Sequence, residues 1–321
     1  CQATTVSVKT SSDGRNVFIY LGQTAVSAIL PIFTILVLAR FLSTEDFGAL
    51  ALSQIYAVFA TSLCTLGMTE VFERSYFEYR DERDKLAALL YGIIAFTLAN
   101  FAVVATISHV FGNLIASTLG FTQPKGLILL SFSGQFFSSV GMFYLLYFRN
   151  AGQALVYACY MIVASGLSFL GAIGLVVYAD AGIAGVPLAQ TLSWIVVCIL
   201  MARKIGATLP PRLDKGVFAS AFQLAYPMAP RIFFGVVSTQ LDKFLLGQLA
   251  SVGGVGIYSI AQRIVYFVFV FMTTLQNVFG PHVYKKMFQL KHGDDGTIGR
   301  YLSPFLYLSV LAAMALALIA E

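Results

Sequence analysis

PMAPRIFFGVVSTQLDKFLLGQLASVGGVGIYSIAQR, residues 227–263, is the stretch on which the fold turns. It reads as two apolar helices joined by a Ser/Gly turn at 251–256. Four charges stand inside the apolar text: Arg231, Asp242, Lys243 and Arg263. At the centre of a bilayer helix each would cost about 2.5–3.5 kcal/mol if left unpaired. Keeping four of them in two successive spans is expected where helices line a polar cavity. Asp242 precedes Leu249 by as many residues as Arg263 follows Gly256. At about 1.5 Å per residue both lie about 10 Å from the same turn, so they are placed to face each other at one depth. Arg231 precedes Asp242 by about three turns and shares its face, whereas Lys243 points about 100° away. Two readings stay open at this point. Asp242 and Arg263 form an ion pair that ties two helices together, or these groups line a cavity and touch substrate or ion. Lys243 also has the stem length to snorkel.

Composition bounds the class. The chain of 321 residues is 58% hydrophobic and 11% charged, with a mean hydropathy of +0.82. Soluble domains carry about 25% charged residues, so the chain is an all-α, polytopic integral membrane protein. Nine spans are expected, near 16–42, 47–68, 86–110, 127–148, 154–178, 183–201, 226–249, 256–278 and 301–320. Pro31 is expected to kink the first. Residues 1–15 form a polar tail, 16–201 a first six-helix lobe, 202–216 a basic, Pro-containing linker, and 217–321 the first three helices of a second lobe. Of the 20 Lys and Arg residues, Arg231, Lys243 and Arg263 lie in spans and only Arg40 and Lys125 fall in the outer loops. The remainder gather on the other side, which places the N-terminus in the cytoplasm. The net charge of +5 therefore reflects membrane topology, and nucleic acid is not expected as a partner. The four cysteines show no metal-ligand or redox spacing, and no metal site is expected.

The chain repeats itself. GALALSQ at 48–54 aligns with GIYSIAQ at 256–262, and each opens a span after a short outer loop. Spans 1–2 thus correspond to spans 7–8, which implies two six-helix halves, as in transporters built from parallel repeats. On this reading the complete protein has at least twelve spans, and the second lobe is incomplete in the chain, which begins with Cys rather than Met.

The passages ARFLSTEDFGALALSQ (39–54), LGMTEVFERSYFE (66–78) and LDKFLLGQLASVGGVGIYSIAQR (241–263) resemble the polysaccharide-export branch of the multidrug/oligosaccharidyl-lipid/polysaccharide exporter superfamily, which includes the O-antigen flippases. The resemblance implies two lobes in a V around a central cationic cavity, rocking between inward- and outward-open states. It implies an undecaprenyl-pyrophosphate-linked oligosaccharide as substrate in the bacterial inner membrane. It also implies no cofactor beyond proton or sodium coupling, contact with membrane lipids, and a polysaccharide polymerase and chain-length regulator as protein partners.

Arginine forks hold phosphate oxygens bidentately and stay charged when buried. Arg231, Arg263 and Lys243 are therefore the expected headgroup contacts, with Gln135 and Gln240 as polar cavity candidates. Asp242 positions Arg263 or serves as the coupling-ion site. Arg40 is a candidate gate contact, set against pairing with Glu45 or Asp46. Glu70 and Arg74 stand at the expected inner mouth, set against a helix-surface pair with each other. A drug/cation exporter of the same superfamily is the nearest rival, but it is expected to carry carboxylates in its cavity, and Asp242 is the one clear intramembrane acid. A membrane glycan polymerase is the enzyme alternative. His109, His282 and His292 fall at or beyond span ends with no acid/base partner pattern.

Overall fold

The computed structural model describes residues 10–118, 125–263, 265, 307 and 314. Among these, all regular secondary structure is helical. The ninth expected span and most of the eighth lie outside the described residues, as does the loop between them. The chain divides into two compact units, Phe33–Ile260 and Cys1–Ile32 with Ala261–Glu321. The division falls just past Pro31 within α1 (Thr10–Leu38), which begins inside the expected polar tail.

The unit Phe33–Ile260 is ordered around α2 (Thr44–Thr65). Ser43 caps this helix: its Oγ accepts from the Asp46 amide at 3.1 Å, and the Asp46 carboxylate accepts from the Ser43 amide at 3.0 Å. The reciprocal bonds satisfy two orphan donors and fix where the helix starts. Leu66 and Gly67, both at positive φ, end it. Then α3 (Met68–Glu78) carries Glu70 and Arg74, the residues of the expected inner mouth. It buries Met68, Val71, Phe72, Ser75 and Tyr76 along one side and leaves Glu70, Glu73 and Arg74 outside. The i, i+3/i+4 spacing of the apolar residues explains the helix. Burial pushes the Tyr76 phenol above its ordinary value.

Four long helices follow: α4 (Arg83–Val110) and α6 (Lys125–Asn150) pack on α2 and α3, and α7 (Ala154–Ile173) and α8 (Gly185–Gly206) pack on α6 and on each other, with the short α5 (Gly112–Thr118) between the first two. Helices α6 and α8 lie close because a methyl on Gly141 would stand 2.6 Å from the Trp194 ring, and one on Gly134 would stand 3.2 Å from Thr191. Phe101 stacks on Phe136 at 4.1 Å between α4 and α6. Polar bonds cross the seams: Ser53 to Ser131 at 2.9 Å, Tyr56 to Ser108 at 2.6 Å, and Asn100 Nδ2 to the Cys64 carbonyl at 3.1 Å. Lipid tails are as apolar as leucine, so close packing and such bonds hold membrane helices together. A five-residue π-helix, Gly174–Tyr178, completes α7, and Asp180 turns the chain at positive φ.

Among the described residues, five helices are long and apolar enough to cross a membrane: Thr44–Thr65, Arg83–Val110, Gly126–Asn150, Ala154–Tyr178 and Gly182–Gly206. They coincide with expected spans two to six. Gly22–Leu38 is a shorter apolar helix.

The expected linker differs from its reading. Helix α8 runs on to Gly206, and α9 (Lys215–Ala225) begins at the far end. Asp214 caps α9 by accepting from the Gly216 amide at 2.7 Å. Between them the chain is pinned to α4. Tyr91 Oη donates to the Leu209 carbonyl at 3.1 Å, and Arg212 pairs with Asp84 at 2.6 Å. The expected seventh span begins three residues late. Tyr226–Met228 form a turn between α9 and α10 (Ala229–Leu249). Pro227 and Pro230 lack the amides that a continuous helix would use there.

Candidate functional site

Helix α10 carries two chemically distinct sides. Phe233 meets Phe59 with ring centroids 6.0 Å apart. A methyl on Gly247 would reach Leu52 at 2.9 Å. Gln240 lies midway between these two, one heptad from each, so it belongs to the side that packs on α2. It is half-buried. Arg231 and Asp242 are both exposed and lie on the other side of the helix, as their eleven-residue spacing requires. Ser238 and Gly235 stand between them, and the stripe is polar or small from end to end except at Leu245 and Leu249. The structure thus brings Arg231 and Asp242 to one face and puts Gln240 on the other. Lys243 is half-buried and stands nearer the α2 side than Asp242 does.

The Asp242 carboxylate has two donors. Its Oδ1 accepts from the Lys243 amide at 2.8 Å, and its Oδ2 accepts a hydrogen bond from the Tyr258 hydroxyl. Tyr258 belongs to the helical stretch 252–263 that follows the turn. Both partners are exposed, so the pair forms part of a surface and not of a dry seam. Arg263 belongs to the other compact unit and is half-buried.

Tyr258 is not among the site residues to which the sequence points. A signal was nevertheless present. Under the repeat, Tyr258 aligns with Leu50, a buried residue of α2. A phenol in place of leucine, on an otherwise similar helix, marks a position where the second half needs a donor.

Gln135 lies on α6, half-buried, one turn from Ser131 on the side facing α2. It is therefore on a different helix from Arg231 and Asp242. Arg40 is exposed at the end of α1. Of the two acids expected as its alternative partners, Glu45 and Asp46, the second is engaged by Ser43 through both its amide and its hydroxyl. Glu70 and Arg74 are exposed on α3. The ion pair that forms there is Glu73–Arg149 at 2.5 Å, joining α3 to the end of α6. Beside it, Lys204 sits 5.9 Å from the rings of Phe148 and Tyr160, which stack on each other. Cationic side chains therefore cluster at the ends of α6 and α8, the cytoplasmic side under the positive-inside reading.

The family model described as polysaccharide biosynthesis protein matches residues 14–284. Among solved structures, the chain is similar to the MATE multidrug transporter DinF-BH, solved as a complex, at 15% identity and a TM-score of 0.62. That likeness covers 88% of this chain and 66% of the other. It is similar to a mutant of the Vibrio cholerae MATE transporter VcmN at 16% identity and a TM-score of 0.62, over 95% of this chain and 72% of that one. An outward-facing multidrug resistance MATE transporter of the MOP superfamily matches at 16% identity and a TM-score of 0.56, over 94% and 71%. The chain spans about two thirds of the length of these proteins. No curated protein matches it.

Proposed function

The chain belongs to the polysaccharide biosynthesis protein family and shares the fold of MATE transporters, and from that premise we propose that the complete protein is a flippase for undecaprenyl-pyrophosphate-linked oligosaccharide. It moves O-antigen or another surface polysaccharide unit across the bacterial inner membrane by alternating access. One observation carries the reading: Arg231 shares an exposed face of α10 with Asp242, on a helix flanked by apolar spans. A guanidinium kept there offers a planar fork to a pyrophosphate, whose charge must be matched if it is to cross a low-dielectric core. Arg263 and Lys243 add positive charge on the same two helices of the sequence. Asp242, held by Tyr258, is the candidate coupling-ion site for protons or sodium.

A cation or drug antiporter is the second reading. The Asp242–Tyr258 pair favours it, since an accessible carboxylate attracts cations, and a solved neighbour is a multidrug transporter. One experiment separates the two. The complete protein is expressed in a flippase-deficient strain, and Arg231→Ala and Arg263→Ala are compared with the parent. Loss of surface glycan in both variants, with normal membrane insertion, is the expected result. Normal glycan in both would remove these arginines from the mechanism. A parent that exports dye but restores no glycan would establish the antiporter instead.

A further inference from the structure

The two glycines that open the repeated motif meet each other. Gly48 lies in the first turns of α2, and Gly256 lies in the helical stretch 252–263. A methyl added to Gly48 would run into the backbone of Val252, 2.6 Å from its carbonyl carbon and closer still to the oxygen. A methyl added to Gly256 would run into the Thr44 carbonyl oxygen and stand 2.9 Å from the Gly48 amide nitrogen. Both obstacles are backbone, which cannot swing aside as a side chain can. The contact is reciprocal under the repeat. The offset that carries Gly48 onto Gly256 also carries Thr44 onto Val252. Gly48 therefore touches the equivalent of Thr44, and Gly256 touches Thr44 itself. That is the signature of a local two-fold axis, where residue i meets j and the copy of j meets the copy of i.

The contact differs from the rest of the α2–α10 seam. Further along, the helices meet through side chains: Leu52 on Gly247, Phe59 on Phe233, and Ile232 on Gly67. Those can slide or change rotamer. At the Ser43 and Ser251 turns, the expected outer end, backbone meets backbone. The glycines let the two backbones approach closely, while Val252 and Val255 beside them pack into an apolar cluster with Ala49, Leu52 and Ile55 of α2.

We infer that Gly48 and Gly256, with Thr44 and Val252, form a symmetric clasp that closes the outer end of the molecule and must part in each transport cycle. Glycine is required at both positions because any Cβ would hold the closed state apart. The clasp rests on the transport reading, which supplies the cycle in which it parts.

The test uses the full-length protein in its native membrane with Thr44→Cys and Gly253→Cys. A Cβ on Gly253 would lie 3.7 Å from Thr44 Oγ1, within disulfide reach. Mild oxidation is expected to form the bond and abolish surface glycan, and a permeable reductant is expected to restore it. Either single cysteine should have no such effect. A cross-linked protein that still restores glycan would show a fixed seam and overturn the proposal. Failure of the bond to form in a correctly inserted protein would overturn it as well. A second readout needs no substrate. Phe244→Cys, deeper along the seam, is expected to react faster with an impermeant thiol reagent from outside when Gly48 is changed to Val. Unchanged labelling would count against the clasp. A parent inactive for glycan, with the labelling shift intact, would instead sink the flippase reading and spare the clasp.

Discussion

Asp242 and Tyr258 make the case for reading this protein residue by residue. A carboxylate that accepts from a phenol is held in one orientation, and a cation approaching it finds a fixed ligand. Tyr258→Phe deletes that donor and leaves the ring. Its expected effect is a weaker sodium or proton dependence of transport with the protein still inserted, measured as activity against ion concentration in vesicles. Asp242→Asn is expected to abolish the dependence altogether. Identical profiles in parent and variants would exclude the pair as the coupling site. The charges of α10 were legible in the sequence as anomalies in apolar text, and so was the common face of Arg231 and Asp242, because helical periodicity is a local property. The phenol partner was not legible. It comes from the next helix, and its approach depends on how the turn at Ser251 folds back.

At the scale of elements, membrane helices are recognisable because twenty apolar residues in lipid have few alternatives to a helix. Spans two to six accordingly fall where hydropathy placed them. The interrupted elements were harder to read. Helix α3 was hidden because its charge outweighs its apolar stripe, and the linker looked free because the partners that pin it, Tyr91 and Asp84, lie far away in the sequence. These elements lead to contrasting expectations for stability. Arg212→Ala removes an exposed ion pair and should cost less than about 1 kcal/mol in a denaturation assay in detergent. Phe136→Ala empties a fully buried site beneath the Phe101 ring and should cost about 3–5 kcal/mol. Comparable losses from both would mean that the linker, and not the aromatic seam, holds the lobe together.

For the whole molecule, topology is the first thing to establish. A cysteine at Ser251 is expected to react with an impermeant reagent from outside, and one at the exposed Thr208 only after the membrane is opened. The reverse pattern would invert the orientation and place the glycine clasp on the inner side. The chain by itself determined that this is a helical membrane protein, that its basic residues alternate with its apolar spans, and that one short motif occurs both early and late in it. Each of these follows from composition or short-range pattern, which survive without knowledge of any distant contact. Only the tertiary structure decided that the copied glycines touch, that Asp242 is held by Tyr258, and that Gln240 lies across the helix from Arg231 as part of a packed seam. Those facts depend on how helices far apart in the chain are set against one another, and side-chain volume and backbone approach settle that only once the bundle has formed.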